Sequence, residues 1–279
     1  MCPKQPTRKA SKPVRSNRAL AIPVTYLMLF VALITIISAT YSFAIIKINA
    51  KASTLKASLA KQSMQQLDDA VRNVAWSIGA SKTVYFDDYG GSFQASMFAD
   101  SLQIIIAFET MPSEVVLNGS IGKVAYVLQA SEYSDVGLFV KGDIRAIVNQ
   151  SFLMTTQLYI DENGGNQQVM LCYRPYAVST PIGSKNGKPL NLVRVYLINL
   201  SLPQSLLLEG KFNLKTTSTN IEVTTKQYEL NQTVTSVALT GKMGFRSDMV
   251  WLPISNNLDG AFVELEILVC NVGIEKVGA

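Results

Sequence analysis

The sequence has no histidine anywhere in its 279 residues. That removes Ser-His-Asp and Cys-His catalysis, imidazole metal ligands and histidine pH switching together. Cysteine is scarce, with only Cys2, Cys172 and Cys270. The first 18 residues contain no acid, and Ala19–Ile46 contain no charge of either sign. From Lys47 to Ile78 there is neither proline nor glycine, and beyond Gly79 there is no long amphipathic helical pattern and no repeat of fixed period. The abundant Ser and Thr, with no histidine to serve as their base, read as surface residues. An enzyme is therefore not expected, and no cofactor is implied.

The charge balance is uneven. Lys4, Arg8, Lys9, Lys12, Arg15 and Arg18 supply six positives at the front; removing them from the net of +5 leaves −1 for the rest. No basic patch then remains to neutralise phosphates, so nucleic acid is not an expected partner. Residues 1–19 read as a polar basic leader, too poor in apolar groups to bury a core.

Residues 20–46 read as a transmembrane helix, because about 20 apolar residues cross the hydrocarbon layer. At 1.5 Å per residue the run from Arg18 spans roughly 42 Å, more than one crossing needs, so the surplus must tilt or be covered by other protein. It is also about twice a secretory h-region, which argues against ordinary signal cleavage near Ser38–Ala39–Thr40. Lys and Arg flanking a membrane helix stay cytoplasmic, so this topology puts the N-terminus inside and the C-terminal region outside a cell membrane crossed once.

Residues 47–79 are rich in Ala, Leu, Lys and Gln and read as an amphipathic continuation of the helix, stopped by Gly79. Ile48, Ala52, Leu55 and Leu59 form one apolar stripe. Leu67, Val71, Val74 and Ile78 form a second, rotated by roughly a quarter turn, with the break near Gln62–Ser63. From Leu20 to Ile78 such a helix would reach about 90 Å.

Residues 80–279 change to alternating periodicity. The expected strands are Thr83–Phe86, Leu102–Phe108, Val124–Leu128, Gly137–Val140, Phe152–Ile160, Gln168–Tyr173, Leu192–Asn199, Leu206–Leu214, Ile221–Lys226, Val234–Leu239 and Ala261–Cys270. Asp161–Gly165 reads as a hairpin loop and Gly183–Pro189 as a second loop. The fold class expected is mainly β: a long N-terminal helix followed by an antiparallel β-sandwich. The Lys185–Pro189 loop leaves two small β modules as the alternative to one continuous sandwich.

Cys172 and Cys270 both fall in the outer region, so a disulfide between them is expected in an oxidising compartment, closing a loop of roughly 100 residues. Two buried free thiols are the alternative, since both sit in apolar strands. Asn118, Asn149, Asn199 and Asn231 each open an N-x-[ST] sequon and are candidate glycosylation sites. Asp87–Gly91 and Asp161–Gly164 are acidic turns whose oxygens suit a hard cation, but neither has EF-hand spacing, and Asp-Gly and Asn-Gly are ordinary turn residues. Glu264 and Glu266 share one face of a strand, as solvated carboxylates commonly do.

The front end resembles archaeal type IV pilin-like proteins with class III signal peptides. The matching features are the basic leader ending Arg18–Ala19, then Leu20–Ala21–Ile22–Pro23–Val24, then an apolar helix running into an amphipathic one. The resemblance covers roughly residues 12–78. It implies a leader peptidase that cuts between Ala19 and Leu20 on the cytoplasmic side, and other pilin-like subunits as partners of the exposed helix. Val24 stands at the fifth mature position, where bacterial pilins carry Glu, and the proline lies one residue further from the arginine than in the common archaeal R-A-V-S-P pattern. The large β region implies a minor pilin or pilin-like surface protein used for interaction or adhesion. The alternative is an uncleaved, signal-anchored extracellular binding module.

Overall fold

The structure, a computed structural model, describes residues 18–109, 111–128, 136–201 and 205–278, without the side chains of 18–22 and 97–99. The chain divides into two compact units, one ending at Ser53 and the other running from Thr54 onward. One helix, α1 (Arg18–Val74), passes through both. It carries Pro23 inside, near its start.

The helix stops at Val74, four residues before the expected end at Ile78. Ala75 N–H still bonds Val71 O at 2.8 Å, but Trp76 then takes a left-handed φ of 68°, a conformation that L-residues seldom adopt. Two contacts hold it there. Its N–H lies 3.4 Å from Cys270 Sγ, and its ring meets Tyr196 edge-on at 5.4 Å. Tertiary packing thus ends the helix ahead of Gly79.

Among the described residues fourteen strands follow: β1 (Ser81–Phe86), β2 (Ser92–Phe108), β3 (Met111–Val127), β4 (Phe139–Lys141), β5 (Val148–Asn149), β6 (Thr156–Asn163), β7 (Asn166–Tyr173), β8 (Tyr176–Lys185), β9 (Lys188–Ser201), β10 (Leu206–Glu209), β11 (Phe212–Leu230), β12 (Ser236–Met243), β13 (Arg246–Pro253) and β14 (Ala261–Val277). They form two curled sheets packed as a sandwich. One sheet runs β1-β11-β14-β9-β8-β5; the other runs β13-β12-β2-β3-β7-β6-β4, with β10 also paired to β2. The first sheet is mixed, because β14 pairs with β9, and β5 with β8, in parallel, a departure from the antiparallel sandwich that the alternation predicts. The Lys185–Pro189 loop lies within the unit from Thr54 onward, joining the paired strands β8 and β9. It contains a two-residue hairpin turn, with φ of 51° at Asn186 and 79° at Gly187, the primed turn geometry that matches strand twist. β1 covers only Phe212–Thr217 of the 19-residue β11; beyond Ser218 the described partner of β11 is β14 alone.

Side chains alternate across a strand, so a buried set of fixed parity faces one side. Here the parity switches part-way along the long strands. On β9 the buried residues are Val193, Val195 and Leu197, then Ile198 and Leu200. On β14 they are Val263, Leu265 and Ile267, then Cys270, Val272 and Ile274. On β2 they are Phe93 and Ala95, then Leu102, Ile104 and Ile106, across an irregularity between Ser96 and Asp100. Each sheet therefore buries one face at one end and the opposite face at the other. One set fills the space between the sheets with Val237, Leu239 and Leu252; the other, with Tyr126, Phe86 and Phe212, packs on Ala60, Met64, Leu67, Val71 and Val74 of α1.

The switch has a physical pivot. Gly122 on β3 meets Leu200 on β9 so closely that a Cβ at 122 would lie 1.9 Å from Leu200 O. Gly122 N–H donates to Asn199 Oδ1 at 3.1 Å, and Asn199 Nδ2 donates to Asn271 Oδ1 at 2.9 Å. The two sheets touch backbone to backbone at this point, and a side chain there would hold them apart.

Candidate functional site

Two stretches of α1 carry the functional question. In the N-terminal unit the helix is apolar on every side and its apolar residues are exposed, Tyr26, Leu29, Phe30, Leu33, Ile37 and Phe43 among them. Two of its hydroxyls bond back to the helix backbone. Thr35 Oγ1 donates to Val31 O at 2.8 Å, and Thr40 Oγ1 to Ile36 O at 2.9 Å. Such back-bonding satisfies hydroxyls where no water is present. At the end of the run Lys47 Nζ sits 5.5 Å from the Phe43 ring. This is one helix long and apolar enough to cross a membrane. The backbone at Arg18, Ala19 and Leu20 is helical, while their side chains, and the leader residues 1–17, lie outside the described residues.

From Thr54 onward the same helix behaves differently. Of the two stripes read from the sequence, Leu67, Val71 and Val74 of the second are buried, and Ile78 lies past the helix end, exposed. In the first, Ile48, Ala52, Leu55 and Leu59 are all exposed. Burial begins at Ala60, close to the Gln62–Ser63 break.

The docked stretch carries a carboxylate inside. Asp68 is 0% exposed. Its Oδ1 accepts from Thr156 Oγ1 at 2.7 Å and Tyr173 hydroxyl at 2.9 Å; its Oδ2 faces Lys141 Nζ at 2.9 Å. Asp69 Oδ1 lies 3.0 Å from the same Nζ. Burial pushes the Tyr173 phenol well above its usual range, so it stays a donor. For Lys141, burial works downward, and its bonds to Asp68 and Asp69 outweigh it, so the net shift is upward. The sequence reading passed over Asp68. The available signal was an acid one residue after Leu67 and three before Val71, at the margin of the apolar stripe.

A second buried charge, Arg174, pins the segment between β4 and β6. Its guanidinium donates to Met154 O at 3.0 and 2.9 Å and to Arg145 O at 3.0 Å, pairs with the Asp143 carboxylate, and lies 5.4 Å from the Phe152 ring. Arg145, first, and Arg174 hold the Asp143 carboxyl well below the usual carboxylate range.

The expected disulfide is not formed. Cys172 and Cys270 are both free and buried. Cys172 stands on β7 among Leu102, Ile121 and Leu197, with its Sγ 3.5 Å from Gln157 Oε1; Cys270 stands on β14 in the other sheet, beside Ser218 and the Trp76 N–H. They belong to two different core clusters, one between the sheets and one under α1, and burial raises the Cys172 thiol to about 12. The parity switch separates them, and spacing along the chain does not reveal it.

The sequon asparagines occupy different surroundings. Asn118 and Asn231 are exposed, the latter accepting from Lys188 Nζ at 2.7 Å. Asn149 Oδ1 takes the Ser151 N–H at 3.1 Å. Asn199 is committed to the sheet contact, with both side-chain ends engaged. The acidic turns are held by their own bonds. Asp87 pairs with Lys211 at 3.1 Å, Asp88 Oδ1 takes the Gly90 N–H at 2.8 Å, and Asp161 Oδ1 takes the Glu162 N–H at 2.9 Å. Glu266 pairs with Arg194 at 2.6 Å. Among the described residues no group of three His, Cys, Asp or Glu could hold a metal ion.

No family model, curated protein or solved structure matches this chain.

Proposed function

We propose that this chain is a pilin-like subunit of a membrane-anchored surface assembly, a minor component that displays a β-sandwich for interaction or adhesion and catalyses nothing. The observation that carries the reading is the exposed apolar surface of α1, which the described protein leaves uncovered from Val24 to Ile46 and along Ile48 and Leu55. In lipid that surface is satisfied during storage. Leaving lipid for a bundle of like helices costs little if every apolar face meets another. Lys4 to Arg18 cannot enter such a bundle cheaply, so their removal between Ala19 and Leu20 would release the subunit. In this reading Leu20–Ile46 first anchor and then pack, the N-terminus starts on the cytoplasmic side, and the β-sandwich is outside. Glycans, if attached, belong at exposed Asn118 and Asn231 rather than at Asn199.

The test is the N-terminus of the protein from its native membrane. Processing gives a chain that begins at Leu20, and Ala19→Trp blocks that step while leaving insertion intact. A mature chain still beginning at Met1, or an Ala19→Trp variant processed as before, rejects the pilin reading in favour of an uncleaved, signal-anchored binding module.

A further inference from the structure

We propose that Lys141 and Asp68 condense into an intramolecular amide that ties α1 covalently to β4. The inference rests on what surrounds this pair, and it holds whether or not the leader is removed. A plain ion pair needs one carboxylate and one ammonium. Here three donors meet one buried carboxylate, and a second carboxylate stands beside the ammonium. The electrophile, Asp68 Cγ, belongs to a carboxyl that is fully buried. The nucleophile, Lys141 Nζ, lies at Oδ2, 2.9 Å away. Two hydroxyls, from Thr156 and Tyr173, donate to the other oxygen, Oδ1. A second carboxylate, Asp69, stands 3.0 Å from Nζ on the same helix. Nucleophile, proton acceptor and donors to a developing oxyanion are the parts that acyl transfer requires, held together by the fold.

The step balances without any outside reagent. The Lys141 ammonium passes one proton to Asp68 Oδ2 across their contact, leaving an amine and a carboxylic acid. Nζ attacks Cγ, and the negative charge that develops on Oδ1 falls where Thr156 and Tyr173 already donate. Asp69 accepts a second proton from Nζ and returns it to Oδ2. The Cγ–Oδ2 bond breaks and water leaves, carrying two of the three ammonium protons; the third stays on the new amide nitrogen. Nothing is oxidised or reduced. The Lys141 side chain, 23% exposed, marks a route by which the water can leave.

Peptide mapping of the full-length protein, extracted from membranes in detergent, tests this directly. Trypsin cannot cut after an amidated lysine. The wild type is therefore expected to give residues 62–72 joined to residues 124–145 as one branched peptide, lighter than the two together by one water. Lys141→Arg keeps the positive charge but cannot form the bond, and is expected to give linear peptides only. Asp69→Asn, folded by circular dichroism, is expected to slow cross-linking by about a hundredfold, the scale of a positioned base. Recovery of linear 62–72 and 124–141 at full mass from folded wild-type protein overturns the proposal, and an Asp69→Asn variant that cross-links at the wild-type rate overturns the role given to Asp69.

Discussion

Leu33 and Leu67 are the same residue on the same helix, yet Leu33 is 51% exposed and Leu67 is 0%. Around Leu33 no described residue is charged from Val24 to Ile46. Around Leu67 stand Asp68, Asp69 and Arg72. The first stretch is built for a solvent that accepts apolar surface on all sides. The second is built for a protein core on one side and water on the other. The difference teaches that continuity of the helix does not mean continuity of its environment, and that charge marks where the environment changes.

The sharpest way to break the comparison is one substitution placed in each half. Leu67→Asp puts an unpaired charge in a dry core. It should unfold the unit beginning at Thr54 or cost it several kcal/mol, read as loss of the cooperative denaturation transition. Leu33→Asp should leave that transition unchanged and instead weaken membrane insertion by about 3 kcal/mol, read as increased release on carbonate extraction. If both variants fail in the same assay, the two halves are not distinct.

A milder pair sharpens it. Leu67→Ala should cost about 2–5 kcal/mol by cavity formation in urea unfolding, whereas Leu33→Ala should leave urea unfolding unaltered.

The next prediction moves off the helix, to acid. Asp143 has a folded pKa below its unfolded value near 3.9, so its stabilising effect is fully present above that value and is lost as pH falls toward the folded one. The difference in Tm between wild type and Asp143→Asn should therefore narrow as pH drops below about 4. A gap that is constant between neutral pH and pH 3 would contradict this.

The smallest effect expected is at Lys226, which pairs with Glu114 at 2.5 Å while both are exposed. Lys226→Ala should change unfolding by no more than about 1 kcal/mol.

Much of the architecture was legible in the sequence. An uncharged run of that length announces the apolar helix, and β-branched alternation announces the sheets. The losses have specific causes. β8 was missed because Pro181 and Gly183 interrupt its pattern, and β13 because Met249 and Trp251 point outward. β3 was read only from Val124, since Pro112, Gly119 and Gly122 hide its first part. β11 was read in fragments because the polar run Lys215–Asn220 separates its apolar parts. The buried cluster at Asp68 needed Lys141, Thr156 and Tyr173 to be brought from far along the chain, and no local spacing announces that meeting. The expected disulfide failed for the same reason: the parity switch decides which core a strand residue enters.

Beyond Ser218 the described residues place a strand on one side of β11 only. A strand with one free side is a template for a strand of another copy. Ile221 and Val223 would favour such a match. Glu222, Lys226 and Glu229 work against it, because adding a strand there means stripping water from three charges. Lys226, already engaged with Glu114, directs its charge toward the neighbouring sheet. These residues act as a quarantine. They contribute little to the stability of one molecule, and their removal would be felt as fibrils or precipitate among many.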